Sequence, residues 1–152
     1  MSVAIPFVKM VAAGNDFLVV DTRRHPLRAL AGQWGRMAHV LCDRHAGVGA
    51  DGVLVLESSR VATVRMRLFN PDGSEGAMCG NGARCVARAV ATGARPDVVR
   101  IETAAGLVIA TVRGGHVRMR LPDPINLRLN VAVTVAGRRL RVTYLNTGVP
   151  HA

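Results

Sequence analysis

Apolar side chains recur at every second position in four stretches of the chain. Val64, Met66 and Leu68 alternate with Arg65 and Arg67, and Val117, Met119 and Leu121 alternate with Arg118 and Arg120. The same period sets Val131, Val133 and Val135, and again Leu140, Val142 and Tyr144. A period of two puts the apolar set on one face of an extended segment and the polar set on the other, so each stretch predicts a strand half-buried against a core. Ala136-Gly137 is a hairpin-turn candidate between the last two, and Arg113-Gly114-Gly115 joins residues 107–112 to residues 116–121 in the same way. Strands joined so briefly pair antiparallel, and a largely antiparallel sheet is expected.

Two segments break that period. Leu27, Leu30, Ala31, Trp34, Met37, Ala38 and Leu41 fall on one helix face, predicting an amphipathic helix over residues 27–41 with Pro26 just ahead of it and Gly32 and Gly35 as weak points. A second helix is expected to begin near Cys79–Asn81 and run through residues 83–91. Its apolar residues are no larger than valine, so neighbours can approach on every side and the helix is expected to be central. Strands and helices together give an α+β chain. Gly14-Asn-Asp-Phe17 reads as a turn between apolar segments. Pro122 and Pro124 cannot donate to a sheet ladder, which places a boundary near residues 122–127. The expected units are residues 1–123 and residues 124–152, the second only an opening hairpin of a truncated domain.

Twenty basic residues against ten acidic ones give a net charge of +10, and every basic residue but Lys9 is arginine. A nucleic-acid groove needs those arginines gathered between aromatic platforms, whereas aromatics are 3 % and the arginines are dispersed. Solvated strand and helix faces are the expected place for them, and no nucleic acid is expected as partner. No apolar run approaches the length of a membrane span, and the first residues lack the apolar region of a signal peptide. Three cysteines, none in a CxxC pair, argue against a disulfide scaffold and a zinc site. A cytoplasmic protein without metal or membrane partner is expected.

The densest polar cluster is Asn70-Pro-Asp-Gly-Ser-Glu-Gly-Ala-Met-Cys-Gly-Asn-Gly82, between an expected strand and an expected helix. A helix N-terminus presents unpaired N–H groups and partial positive charge, which suits a bound carboxylate and a thiolate. Cys79 has that placement. Packing alone would need neither glycines at 80 and 82 nor Asn81, Asn70 and Asp72 around it, so Cys79 is the expected functional sulfur; Cys85 and Cys42 are expected in the core. The glycine-rich segment Asp43–Gly52 leaves a helix and enters the strand 53–56, the wrong order for a dinucleotide loop. His45 reads as bracing that loop rather than as base or ligand.

Six segments, in this order, resemble diaminopimelate epimerases: Phe7-Val-Lys-Met with Gly14-Asn-Asp-Phe17; Asp43-Arg-His with Gly49-Ala-Asp-Gly52; Phe69-Asn-Pro-Asp-Gly-Ser-Glu75; Met78-Cys-Gly-Asn-Gly-Ala-Arg-Cys85; Ile101-Glu-Thr-Ala-Ala-Gly106; and Gly148-Val-Pro-His151. The most specific is Cys-Gly-Asn-Gly, because the related proline racemases and hydroxyproline epimerases typically carry histidine where Asn81 stands. The resemblance implies a mixed sheet wrapped around the helix that starts at Cys79. It also implies cofactor-independent interconversion of LL- and meso-2,6-diaminopimelate, on the route to lysine, by two cysteines working from opposite faces of Cα. Cys79 matches one of them. Gly80 and Asn81 match the backbone cradle of the substrate carboxylate, and Asn15 and Asn70 match substrate-binding asparagines.

His151 matches a histidine near the reacting centre, a structural hydrogen bond being the equal alternative. Gly52 and Val149 match substrate-binding positions where some members carry glutamine and many carry asparagine. The resemblance further implies a second domain, with the other cysteine, beyond residue 152, so this chain is expected to be nearly inactive alone; the full-length protein is compatible with a homodimer. Two other expectations stay open, a racemase or epimerase of another amino acid such as proline or glutamate, and a non-catalytic arginine-rich binding protein on the same scaffold.

Overall fold

The computed structural model describes residues 4–25, 27, 30–91, 93 and 97–152. In chain order the elements are β1 (Val8–Ala12), β2 (Asn15–Asp21), α1 (Trp34–Leu41), β3 (Gly52–Glu57), β4 (Val64–Phe69), β5 (Glu75–Gly76), α2 (Gly80–Val90), β6 (Asp97–Thr103), β7 (Gly106–Arg113), β8 (His116–Arg120), β9 (Ile125–Val135), β10 (Arg138–Asn146) and β11 (Pro150–His151). The first eight strands form one sheet in the order β1-β2-β3-β4-β6-β7-β8, with β5 paired to β4. Pairing is antiparallel except at β2–β3 and β4–β6, which are parallel and are connected through α1 and α2 respectively.

The two helices occupy opposite faces of the middle of this sheet. Phe17 and Val19 of β2 and Leu54 and Leu56 of β3 point into the core that holds α2, while Leu18, Val20, Val53 and Val55 point into the one that holds Trp34, Ala38 and Cys42. Burial on both faces explains why 17–20 and 53–56 are continuous apolar runs, whereas the outer strands alternate. At about 25 cal/mol per Å2 of apolar surface, such two-sided burial is worth roughly 1.5–3 kcal/mol for each large side chain.

The sheet curls around α2, which touches β1, β2, β3, β4, β6, β7 and β8. Its buried residues are Gly82, Ala83, Cys85, Val86 and Ala87, so the small side chains permit that approach. Coverage is not complete: Arg88 and Ala89 are exposed, and the sheet's ends, β1 and β8, leave a groove of about 230 Å3 between Met10, Ala12, Arg84, Arg88 and Val117. The helix is central but open on one side, because two cationic side chains there require water.

Several boundaries differ from expectation. The helix expected over 27–41 exists only over Trp34–Leu41; Leu27 and Leu30 belong to a separate tight turn, and Gly32, at φ +76°, takes the chain out of helical geometry before Gln33. Pro26, Arg28 and Ala29 lie outside the described residues. The first hairpin turns at Ala13-Gly14, both with positive φ, so Asn15, Asp16 and Phe17 belong to β2 rather than to a turn. The irregular stretch expected at 122–127 ends by Asp123–Pro124, and β9 begins at Ile125.

The strands β9, β10 and β11 form a separate antiparallel sheet, closed by the Ala136-Gly137 turn with positive φ at both positions. Two bulges interrupt the β9–β10 register, and Asn126 and Asn130, the extra residues of β9, take the left-handed conformation that such bulges need. Val131, Val133, Val142 and Tyr144 are half-buried as the alternation predicts, but Val135 and Leu140 are exposed, since the turn end of the ribbon rests on nothing in the described structure. No helix among the described residues is long and apolar enough to cross a membrane.

Candidate active site

Strand β4 delivers the chain into a tight turn at residues 70–74. The Asn70 N–H donates to the Ser74 carbonyl, the Asp72 carboxylate accepts from the Ser74 N–H and hydroxyl, and Asn70 Nδ2 donates to Ser74 Oγ at 2.9 Å. Arg67 holds Glu75 through a two-point pair, at 2.7 and 2.8 Å, as β5 returns along β4. The Ala105 N–H then donates to Ala77 O, tying the next residues to the β6–β7 turn. Met78 is buried and Cys79 half-buried. The chain therefore enters α2 on a path fixed from both sides.

Cys79 is the N-cap of α2, with extended backbone at φ −140° and ψ 122°. Its Sγ accepts from the Gly82 N–H at 3.4 Å, the contact that serine or aspartate oxygens make at ordinary N-caps. The first intrahelical bond runs from the Ala83 N–H to Cys79 O, so the N–H groups of Gly80 and Asn81 have no helical partner. Open space surrounds the position a Cβ of Gly80 would take. Two free backbone donors, a helix dipole and a sulfur thus share one surface.

A hydrogen-bonded series runs away from this point. Arg84 donates to Asn81 Oδ1, Asn81 Nδ2 donates to Asn15 Oδ1 at 2.6 Å, and Asn15 Nδ2 donates to Asp51 Oδ2 at 3.0 Å. Arg44 bridges Asp51 and Asp16, at 2.8 Å to each, and Lys9 reaches Asp16 at 3.2 Å and Gly49 O at 2.7 Å. The Arg44 guanidinium, followed by burial in the opposite sense and then Lys9, leaves the Asp16 carboxyl far below the ordinary carboxylate range. Asp51 is lowered chiefly by the Asn15 amide. Asp16, Asp51, Arg44, Lys9 and Arg84 were not singled out by sequence reasoning. Their signal lay in two aspartates flanked by glycines, in Gly14-Asn-Asp and Ala50-Asp-Gly52, with no role in a core.

The structure joins Asn15 and Asn81 directly, but Asn70 bonds within its own turn. Gly52 is buried, and a Cβ there would lie 3.0 Å from Phe69 O and 3.2 Å from Leu68 Cδ1, so this position has room for backbone only. Gly148 sits against Met78 and Ala105, 3.2 and 3.3 Å from where its own Cβ would be, and Val149 packs on the core around α2; the loop after β10 thereby reaches the residue before Cys79. The His151 ring is exposed, with Nε2 at 3.0 Å from Thr147 Oγ1. In the loop at 43–47, the Asp43 carboxylate accepts from the backbone N–H groups of His45 and Ala46, so the bracing runs through Asp43 and not through the His45 ring.

Cys42 and Cys85 are buried, and burial pushes both thiols up from their ordinary value. Among the described residues no group of three His, Cys, Asp or Glu side chains is placed to hold a metal ion.

The fold resembles that of a probable proline racemase from Agrobacterium radiobacter K84, with a TM-score of 0.73 at 22 % identity over 97 % of this chain and 50 % of that one. A hydroxyproline epimerase from Agrobacterium vitis gives 0.72 at 23 % identity, over 95 % of this chain and 48 % of its own. These similarities show the fold. Among curated relatives, the diaminopimelate epimerase of Caldanaerobacter subterraneus subsp. tengcongensis is 36 % identical over 95 % of this chain and 58 % of its own length. That of Acidiphilium cryptum is 47 % identical over 75 % of this chain and 40 % of its own, and that of Archaeoglobus fulgidus 39 % identical over 97 % and 57 %. The chain thus spans between two fifths and three fifths of the length of these three curated relatives. The family model described as diaminopimelate epimerase matches residues 7–123, most of the chain, and the chain belongs to that family.

Proposed function

We propose that this chain supplies one face of the active site of a diaminopimelate epimerase. The observation that carries the proposal is Cys79 at the N-cap of α2, next to the unpaired N–H groups of Gly80 and Asn81. The N–H pair and helix dipole receive the α-carboxylate, which sets Cα–H against Sγ. Cys79 as thiolate takes the Cα proton and becomes a thiol; a second acid on the opposite face delivers its own proton to the carbanion and is left ionised. In the reverse direction the roles exchange, and no charge is gained or lost over the cycle. The Cα–H group is a very weak acid, so interactions with fixed dipoles that strengthen as carbanionic charge spreads into the carboxylate supply the stabilisation.

Asn15 and Asn81 act at this carboxylate end, Asn70 contributes from the adjoining turn, and Gly52 and Val149 offer backbone and apolar surface where an amide side chain is lacking. His151 lies on the same loop system and is assigned to the rim. The opposing acid is not Cys42 or Cys85, because each is buried in a separate core. Residues 1–123 form one unit and residues 124–152 a second, a division supported by the separate β9–β11 sheet and by the extent of the family match. The enzyme is assigned to the cytoplasm.

Deuterium wash-in at Cα, followed by NMR with LL-diaminopimelate, proline and glutamate in D2O, tests this. The chain is expected to exchange diaminopimelate fastest, from one face, without appreciable inversion, and Cys79→Ala is expected to abolish exchange. Absence of exchange with diaminopimelate, faster exchange of proline or glutamate, or survival of exchange in Cys79→Ala would each overturn the proposal. Inversion at a rate like that of a full-length relative would overturn its two-base mechanism.

A further inference from the structure

We propose that Asp51 is a positioning residue which, through Asn15, fixes the direction of both side-chain amides at the start of α2 and so makes that surface a donor-only receptor for a carboxylate. The inference rests on the role given above to Cys79 and its neighbouring N–H groups. An asparagine amide can present either its oxygen or its nitrogen to a neighbour, and only its partners decide which. Here both ends of the series are unambiguous. The Asp51 carboxylate can only accept, and it takes Asn15 Nδ2 at 3.0 Å and the Asp16 N–H at 3.2 Å on one oxygen and Arg44 at 2.8 Å on the other. Arg84 can only donate, and it donates to Asn81 Oδ1.

With Asn15 Nδ2 turned to Asp51, its Oδ1 is turned to Asn81 Nδ2, at 2.6 Å. Both amide oxygens are turned toward donors inside the protein. What the two asparagines keep for a ligand is one N–H each, beside the backbone N–H groups of Gly80 and Asn81. A carboxylate satisfies four donors, whereas an ammonium or a second amide N–H would face only hydrogens. Asp51 itself is pinned, since its own N–H donates to Asp16 O at 2.9 Å. An acidic residue thus builds an anion site without touching the anion.

The alkylation of Cys79 by iodoacetate and by iodoacetamide, followed by mass spectrometry, separates this role from a merely structural one. The reagents match in size and reaction, in which the S–C bond forms and iodide leaves, but only iodoacetate carries a carboxylate. Cys79 in the folded chain is expected to prefer iodoacetate relative to the same chain unfolded in urea. Asp51→Asn places an amide N–H against Arg44 or against Asn15, frees the direction of the Asn15 amide, and is expected to lower that preference about tenfold, the lower end of the effect of losing one hydrogen bond to a charged group, while the iodoacetamide rate stays within twofold. Removing a negative charge would by relief of Coulomb repulsion speed iodoacetate, so the sign discriminates. Asp51→Glu, which keeps an acceptor-only end, is expected to retain more of the preference than Asp51→Asn.

An unchanged or increased preference in Asp51→Asn overturns the proposal, as does an equal change with both reagents. Labelling of Cys42 and Cys85 would report loss of the fold; Asp51→Ser, which also removes the acceptor-only carboxylate, then decides, with the same expected fall and the same overturning result. Exchange at Cα that survives an unchanged preference refutes this inference alone. A lost preference with no exchange of any amino acid refutes the proposed reaction alone.

Discussion

Gly35 of α1 and Gly73 of the 70–74 turn are in backbone contact: a Cβ on Gly35 would stand 2.4 Å from Gly73 O. His39 Nδ1, one turn further along the helix, lies 3.0 Å from Pro71 O and holds the same turn. The turn that carries Asn70 is therefore seated on α1 and moves with it.

Gly35→Ala should reverse the usual sign of such a change. In an open helix, alanine for glycine stabilises by about 1 kcal/mol. Here the contact atom is a backbone oxygen that cannot swing away, and overpacking of this kind costs about 1–3 kcal/mol. A fall in Tm is expected, with NMR shift changes centred on residues 70–74. A rise in Tm would show the two backbones to be farther apart.

Gly82 and Leu54 should be coupled. A Cβ on Gly82 would lie 3.0 Å from Leu54 Cδ2, and Leu54 is fully buried. Leu54→Ala is expected to cost about 2–5 kcal/mol in denaturant unfolding. Gly82→Ala is expected to destabilise the parent but to stabilise Leu54→Ala, where the obstructing methyl is gone and only the helix preference is felt. Additive changes would refute the contact.

Stability should fall on both sides of neutrality. Asp16, Asp51, Asp72 and Glu75 are all lowered from their ordinary values, chiefly by Arg44, by the Asn15 amide, by Ser74 and by Arg67 respectively. A carboxyl that binds its proton less readily when folded contributes stability above its unfolded value, near 3.8 for aspartate, and loses it as the pH falls further. Cys42 and Cys85 are raised from 9.0 by burial, so their contribution is full below that value and is lost as the pH rises through it. Tm measured from pH 2 to 11 should be level between about pH 5 and 8 and drop at either end. A level profile down to pH 2 would contradict the charge network.

The strands are the most legible part of the molecule because alternation reports one-sided burial directly: the face opposite Arg65 and Arg67 is readable residue by residue, and that opposite Arg118 and Arg120 up to Leu121, which lies past β8 and is exposed. The amphipathic face of 27–41 was equally plain, yet periodicity reports which residues share a face and not whether the backbone between them is continuous. Gly32 ends the first turn without disturbing the apolar spacing, so the helix was read as too long. At the site, Cys79 and its glycines were visible because their chemistry is local. Asp51 and Arg44 were not, since each acts on partners up to 36 or 28 positions away and only the pairing of β2 with β3 brings them together. Gly52 illustrates the same limit. Its place in a ligand motif is a matter of sequence, while the absence of room around it comes from Phe69, Leu68 and Phe17.

Contact with strands from both ends of the curled sheet has a mechanical result for α2. A body held at many points takes up an average of its supports, so slack in one of them, such as the glycine turns at 13–14 or 114–115, displaces it only slightly. The sulfur at its tip inherits that steadiness. Proton transfer to carbon, the role proposed for this sulfur, demands alignment to a fraction of an ångström, and the alignment is secured by the whole curled sheet and not by the short loop before α2.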